Sequence, residues 1–236
     1  MRRIVFAIIL LLAVTPFVSA RVTRVEIKTR EDINGGQPFG LAGPYERLIG
    51  KVYFKVDPRN PHNAVIVDLD KADRDQNGEV EFSADVYILK PKDPNRSGGS
   101  LLLEIPNRGG RGIVRLANFG TNQSEFGDGF LMRQGITIVW VGWQFDVRDQ
   151  QGALRLYAPV ARDGTKSIAG LVRSDFVVAE KVYEQPVGHL INGSIGGTEY
   201  PVADPSDTAN VLTVRETPTG ERRVIPKTDW GFAHSV

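Results

Sequence analysis

Two apolar runs and the segment between them constrain this chain more than any other feature. Leu101-Leu102-Leu103-Glu104-Ile105 and Ile136-Thr137-Ile138-Val139-Trp140-Val141 are close to continuous in hydrophobic character, the pattern of strands buried on both faces. The first run ends in Pro106-Asn107-Arg108-Gly109-Gly110-Arg111-Gly112, a stretch rich in residues that interrupt regular structure. The second is preceded by Asp128-Gly129-Phe130-Leu131-Met132-Arg133-Gln134-Gly135, which predicts a short helix closed by a left-handed glycine at Gly135. Strand, Gly-rich loop, helix and strand make a βαβ unit, whose strands are expected to be parallel, adjacent or nearly so, and joined by a right-handed crossover. An α/β core therefore begins near Leu101.

The chain before that point reads as β-rich. Leu48, Gly50, Val52, Phe54 and Val56 fall on one side of an alternating stretch and Lys51 and Lys55 on the other, so one face is expected to meet a core. Residues 22–28, 64–69 and 80–90 are further predicted strands, the last two separated by a polar turn at 70–78, and the opening third reads as an antiparallel meander. After Gly142, strands are expected over 154–161 and 168–178, and 212–215 is expected to pair with 222–225. Residues 185–207 are rich in Pro and Gly and read as loop. With 236 residues, 41% of them hydrophobic, the chain can bury one large core or two small ones, which excludes a disordered tail or a collagen-like chain.

The first twenty residues have a different character. Arg2 and Arg3 form a charged start, residues 4–14 are an unbroken apolar run, and Val18-Ser19-Ala20 is a small-residue cleavage site, the three parts of a secretory signal in order. The apolar run is well short of the roughly 20 residues that span a bilayer, so cleavage after Ala20 and a soluble periplasmic or extracellular product are expected, with no membrane association afterwards. Loss of the two arginines takes the formal net charge from +1 to −1. Such a chain has no basic surplus with which to neutralise phosphates, and nucleic acid is not an expected partner. The absence of cysteine removes thiolate metal sites, iron–sulfur clusters and Cys nucleophiles together. His62, His189 and His234 stand far apart without ligand spacing, and no metal or other cofactor is expected.

Other constellations carry less chemistry. Asp73, Asp75 and Asn77 followed by Gly78 match the first half of a calcium loop, but Ala84 stands where a bidentate Glu is required, and Asn77-Gly78 is itself a strong hairpin signal. Trp140, Trp143 and Phe145 line either a pocket or a core, and Asp146 and Asp149, near the end of that strand, read by default as solvated loop carboxylates and otherwise as contacts to a ligand.

Several stretches taken together resemble one family. Arg24-Val25-Glu26-Ile27, Gly36-Gln37-Pro38-Phe39-Gly40, Gly43-Pro44-Tyr45-Glu46-Arg47, Phe82-Ser83-Ala84-Asp85-Val86, Pro106-Asn107-Arg108-Gly109, Trp140-Val141-Gly142-Trp143-Gln144 and Asp229-Trp230-Gly231-Phe232-Ala233 are similar to stretches of the bacterial alpha/beta hydrolase domain-containing proteins, an exported branch of the α/β-hydrolase superfamily. The resemblance implies an α/β fold in which residues 21–236 form the N-terminal part of a hydrolase domain, a β-rich meander leading into the first βαβ unit of a sheet that is incomplete in this chain. It implies hydrolysis of small-molecule carboxylic esters or amides by serine acyl transfer. Members of the family are longer, and their nucleophile lies in a part that would follow. The residues agree: no serine stands in G-x-S-x-G. Ser97 and Ser194 have the second glycine without the first, Ser100 the first without the second, and the other serines neither. Catalytic residues are therefore not complete here. In these hydrolases one oxyanion donor comes from the loop between an early core strand and its first helix, which nominates Asn107, Arg108, Gly109 and Gly110, with Arg108 placed to steer a carboxylate. The same residues also read as a plain Gly-rich connection with Arg108 and Arg111 solvated. The alternative from a different class is a non-catalytic β-rich envelope module that binds a sugar or a partner protein.

Overall fold

The computed structural model describes residues 20–120, 126–147, 152–185, 187, 190–191, 194–195 and 202–233. The proposed signal, apart from Ala20, lies outside the described residues, as do His189, His234 and Asp149. Two compact units are distinguished, the first holding residues 1–168 and 190–198, the second 169–189 and 199–236.

The first unit is built on a six-stranded mixed sheet with few helices. Strands β1 (Ala20–Asp32), β2 (Tyr45–Val56) and β3 (Val80–Pro91) form the expected antiparallel meander, with Tyr45 opposite Pro91 and Val56 opposite Val80. Strand β1 shifts register twice against β2, and at the second shift its backbone presses on Gly50. A Cβ on Gly50 would lie 1.8 Å from the Glu26 carbonyl oxygen, which explains a glycine inside a long strand. The chain then forms β4 (Leu101–Glu104), passes through helices α1 (Ile113–Ala117) and α2 (Phe130–Arg133), and returns as β5 (Thr137–Val141). Strand β5 runs antiparallel to β3 on one side and parallel to β4 on the other, giving the order β1-β2-β3-β5-β4, and β6 (Leu156–Tyr157) also pairs with β3. The parallel, adjacent pair is as expected from the two apolar runs.

Their burial is not. Ile138 and Trp140 on β5 are buried, but Leu101 and Leu103 on β4 are 64% and 51% exposed. Strand β4 ends the sheet order, and among the described residues only the Leu102 side of it packs against the core. That core lies on one face of the sheet, where Tyr45, Tyr87, Leu89, Ile138 and Trp140 meet Val114 of α1 and Leu131 and Met132 of α2. Full burial of side chains of this size stabilises by roughly 1.5–3 kcal/mol each. Tyr45 is wholly buried and donates its hydroxyl to the Ile136 carbonyl (3.1 Å), and burial pushes its pKa up to about 12. The face carrying Phe54 and Val56, expected to meet the core, holds a small second cluster of Val56, Leu69 and Val80 with Phe82, whose ring stacks on Phe54, and beside it the buried Ala84 and Val86.

Helix α2 ends as its sequence predicts: Gly135 has φ +69 and donates to the Met132 carbonyl (2.9 Å). A Cβ there would meet the Gly98 nitrogen at 2.6 Å, so the same glycine lets the loop entering β4 pass close by. The strand expected over 64–69 is instead a run of turns and a short 3-10 segment. Asn60 caps the 3-10 turn Pro61–Asn63, the Asn63 amide is bound to the Asp57 carbonyl, and Asp68 takes a left-handed conformation that breaks an extended chain. Of 154–161 only β6 pairs into the sheet, and 168–178 forms no strand. Two hairpins complete the unit, β7 (Arg162–Asp163) with β8 (Lys166–Ser167) and β9 (Leu190–Ile191) with β10 (Ser194–Ile195).

The second unit is mostly irregular. Among its described residues it holds the expected hairpin of β11 (Leu212–Val214) and β12 (Arg223–Ile225), closed by a turn in which Gly220 donates to Thr217, and a short 3-10 segment Lys227–Asp229. Trp230 packs edge to face on Phe232 and donates its indole N–H to Ile225. No helix among the described residues is long and apolar enough to cross a membrane.

Candidate functional site

Three loops, residues 105–112, 142–147 and 152–155, meet near the carboxyl ends of β4 and β5, the position at which open α/β sheets bind ligands. The first, residues 105–112, holds the four nominated residues. Asn107 to Gly110 form a tight turn in which Arg108 takes φ +49 and Gly109 φ +74. Gly109 is buried, and a Cβ on it would lie 2.8 Å from both the backbone nitrogen and the carbonyl oxygen of Leu154. Glycine here is a packing requirement as well as a conformational one.

The turn is tied on every side. Arg108 donates its backbone N–H to Gln144 Oε1 (2.6 Å) and its guanidinium to Asp146, and these two charged side chains are only 17% and 13% exposed. Trp143 donates its indole N–H to the Pro106 carbonyl (2.7 Å), Leu154 donates to Gly109 (3.1 Å), and Arg111 donates to Gly152. Gly110 donates back to Asn107 (3.1 Å). The backbone amides of Arg108 and Gly110 thus already have acceptors within the chain. In this structure the Arg108 guanidinium is paired with Asp146. Arg111 likewise lies with its guanidinium carbon 4.3 Å from the centre of the Tyr87 ring.

Glu104, at the end of β4, closes the loop at its base. Its carboxylate accepts from the Gly112 N–H (3.3 Å), the Ile113 N–H (3.0 Å) and the Trp140 indole N–H. One acidic side chain therefore holds both ends of the 105–112 loop and the neighbouring strand. A second network lies across β3: Asp85 accepts from the Arg155 N–H and the Tyr157 hydroxyl, both at 3.1 Å, and pairs with Lys51 at 3.4 Å. The Lys51 ammonium sits 3.1 Å above the Tyr157 ring. The sequence reading missed Glu104, Gln144 and Asp85. Only Glu104 had a local signal, a lone charge inside an apolar run.

The aromatic residues divide. Trp140 belongs to the core, while Trp143 and Phe145 turn outward, 52% and 59% exposed, with Gln144 and Asp146 turned inward between and beside them. His62, the one histidine among the described residues, is exposed. The calcium-like segment is a turn: Asp75 accepts from the Asn77 and Glu79 N–H groups and pairs with Lys55. The hydrogen bond from the Lys55 ammonium, with that from the Glu79 amide, holds the Asp75 carboxyl down to about 2. Glu79 is itself bound to Arg21. No group of three or more side chains able to hold a metal occurs among the described residues.

Comparison of the chain with protein-family models, with curated proteins and with solved structures finds no match.

Proposed function

We propose that the chain supplies the oxyanion side of an exported serine hydrolase that cleaves small carboxylic esters or amides, with the nucleophilic serine and the histidine carried by residues outside these 236. The observation that carries the reading is the β4–turn–α1 connection. It leaves the carboxyl end of a strand with a parallel neighbour, turns through two left-handed residues, and is braced by Glu104, Gln144 and Asp146. A backbone held that firmly keeps the Arg108 N–H in place, and once exchanged from Gln144 to a substrate oxygen on which charge develops, one such donor is worth about 2.7–4 kcal/mol in acyl transfer. Residues 1–20 support export to the periplasm or beyond.

The second reading, a binding module without chemistry, draws on the outward Trp143 and Phe145. The two readings separate on the reading frame beyond codon 236. The hydrolase reading expects an in-frame strand–turn–helix bearing G-x-S-x-G with a histidine further on. A frame with neither would leave the binding module.

A further inference from the structure

The donors of Arg108 are occupied in a specific way. Its backbone N–H holds a neutral carbonyl oxygen, Gln144 Oε1 at 2.6 Å, and its guanidinium holds a carboxylate, that of Asp146. Both acceptors come from one four-residue segment, 143–146, that turns its polar side chains in and its aromatic ones, Trp143 and Phe145, out to solvent. An aromatic-out, polar-in arrangement reverses the usual partition between surface and interior. Arg108 is also held left-handed, a conformation that non-glycine residues keep where the surroundings impose it.

We propose that Gln144 and Asp146 act as an internal plug in a site for an acyl carboxylate, that is, a ligand such as an N-acyl amino acid that carries both a carbonyl oxygen and a carboxylate. The ligand's carbonyl oxygen takes the Arg108 N–H in place of Gln144, and its carboxylate takes the guanidinium in place of Asp146. Trp143, with its indole fixed on Pro106, and Phe145 offer apolar surface to the rest of the ligand. Exchange replaces one carbonyl acceptor and one charge-assisted pair by another of each kind, so the plug lowers affinity by the fraction of time it is closed and does not abolish binding. The inference rests on the oxyanion-side reading of this loop and names the substrate class for it.

The test is titration of the full chain with N-acetylglycine, followed by the NMR signals of the Arg108 backbone amide and side chain. In the wild-type chain the ligand should move the Arg108 signals and the Gln144 carboxamide signals together. In the doubly substituted Gln144→Ala, Asp146→Asn chain it should bind about tenfold more tightly or better, as expected when a competing closed state is removed. Arg108→Lys in that background should return the affinity to the wild-type level, because lysine lacks the bidentate fork. A double variant that melts cooperatively yet binds no more tightly than wild type overturns the proposal, and so does tighter binding with unmoved Arg108 signals. If the double variant does not fold, the wild-type titration decides: a saturating ligand that leaves the Gln144 carboxamide in place refutes displacement. Failure here while a G-x-S-x-G serine is found downstream removes the plug and leaves the hydrolase. Binding as described without such a serine removes the hydrolase and leaves the site.

Discussion

Two glycine substitutions separate the conformational role of Gly109 from its packing role. Gly99 and Gly109 have nearly the same φ, +72 and +74, but an added Cβ meets nothing within 4 Å at Gly99 and two backbone atoms of Leu154 at 2.8 Å at Gly109. Placing alanine in the left-handed region costs about 1–2 kcal/mol at either position. At Gly109 the Leu154 backbone must also withdraw, and the 3.1 Å hydrogen bond from Leu154 to Gly109 goes with it, adding about 0.5–1.5 kcal/mol. Gly109→Ala should therefore destabilise by about 1 kcal/mol more than Gly99→Ala, which for a chain of this size lowers the melting temperature by a further 2–4 °C or so. Urea and thermal unfolding of the two variants beside wild type measure the difference. Equal losses would mean that the loop relaxes freely around position 109, and the tight bracing of the 105–112 turn would be wrong.

The Glu46 carboxylate, almost fully buried, is held by Arg30 and Lys90, whose hydrogen bonds outweigh burial and keep it ionised below the usual carboxylate range. Glu46→Gln should destabilise by about 1–3 kcal/mol in denaturant unfolding, and no measurable loss would show that both cations find other partners. Asp75 has its pKa depressed to about 2, so its contribution to stability is complete above the unfolded value of about 3.9 and is lost as pH falls from there through 2. Asp75→Asn should flatten that part of the stability profile, and an unchanged acid limb would place the titration elsewhere. Calcium calorimetry should give no micromolar isotherm at residues 73–81, because Asp75 and Glu79 are engaged by Lys55 and Arg21; a tight isotherm lost in Asp75→Ala would contradict this.

What could be read in advance was what local pattern determines. The parallel β4–β5 pair followed from two apolar runs around a helix signal, and the β11–β12 hairpin followed from two short β-branched stretches around a polar turn. The exposure of Leu101 and Leu103 did not follow, because whether a strand ends a sheet is decided by the order of all the strands and not by its own residues. Residues 64–69 look like a strand by apolarity alone, yet Asn60, Asn63 and Asp68 supply local hydrogen bonds and a left-handed turn that compete with it. At the candidate site the glycines announced the turn around Arg108. Its partners Gln144 and Asp146 lie 36 and 38 residues further on; Asp146 could be read as a loop carboxylate, but no local pattern pairs either residue with Arg108.

The central claim, that the turn at Arg108 and Gly109 serves acyl transfer by a serine outside residues 1–236, is tested most directly by fluorophosphonate labelling. The polypeptide containing these residues, isolated from its native source, is labelled and its modified peptide mapped beside the chain of 236 residues alone. The account predicts one labelled serine, within G-x-S-x-G and beyond residue 236, and no label on the shorter chain. A labelled serine within residues 21–236, or a native polypeptide that takes no label at all, would contradict it.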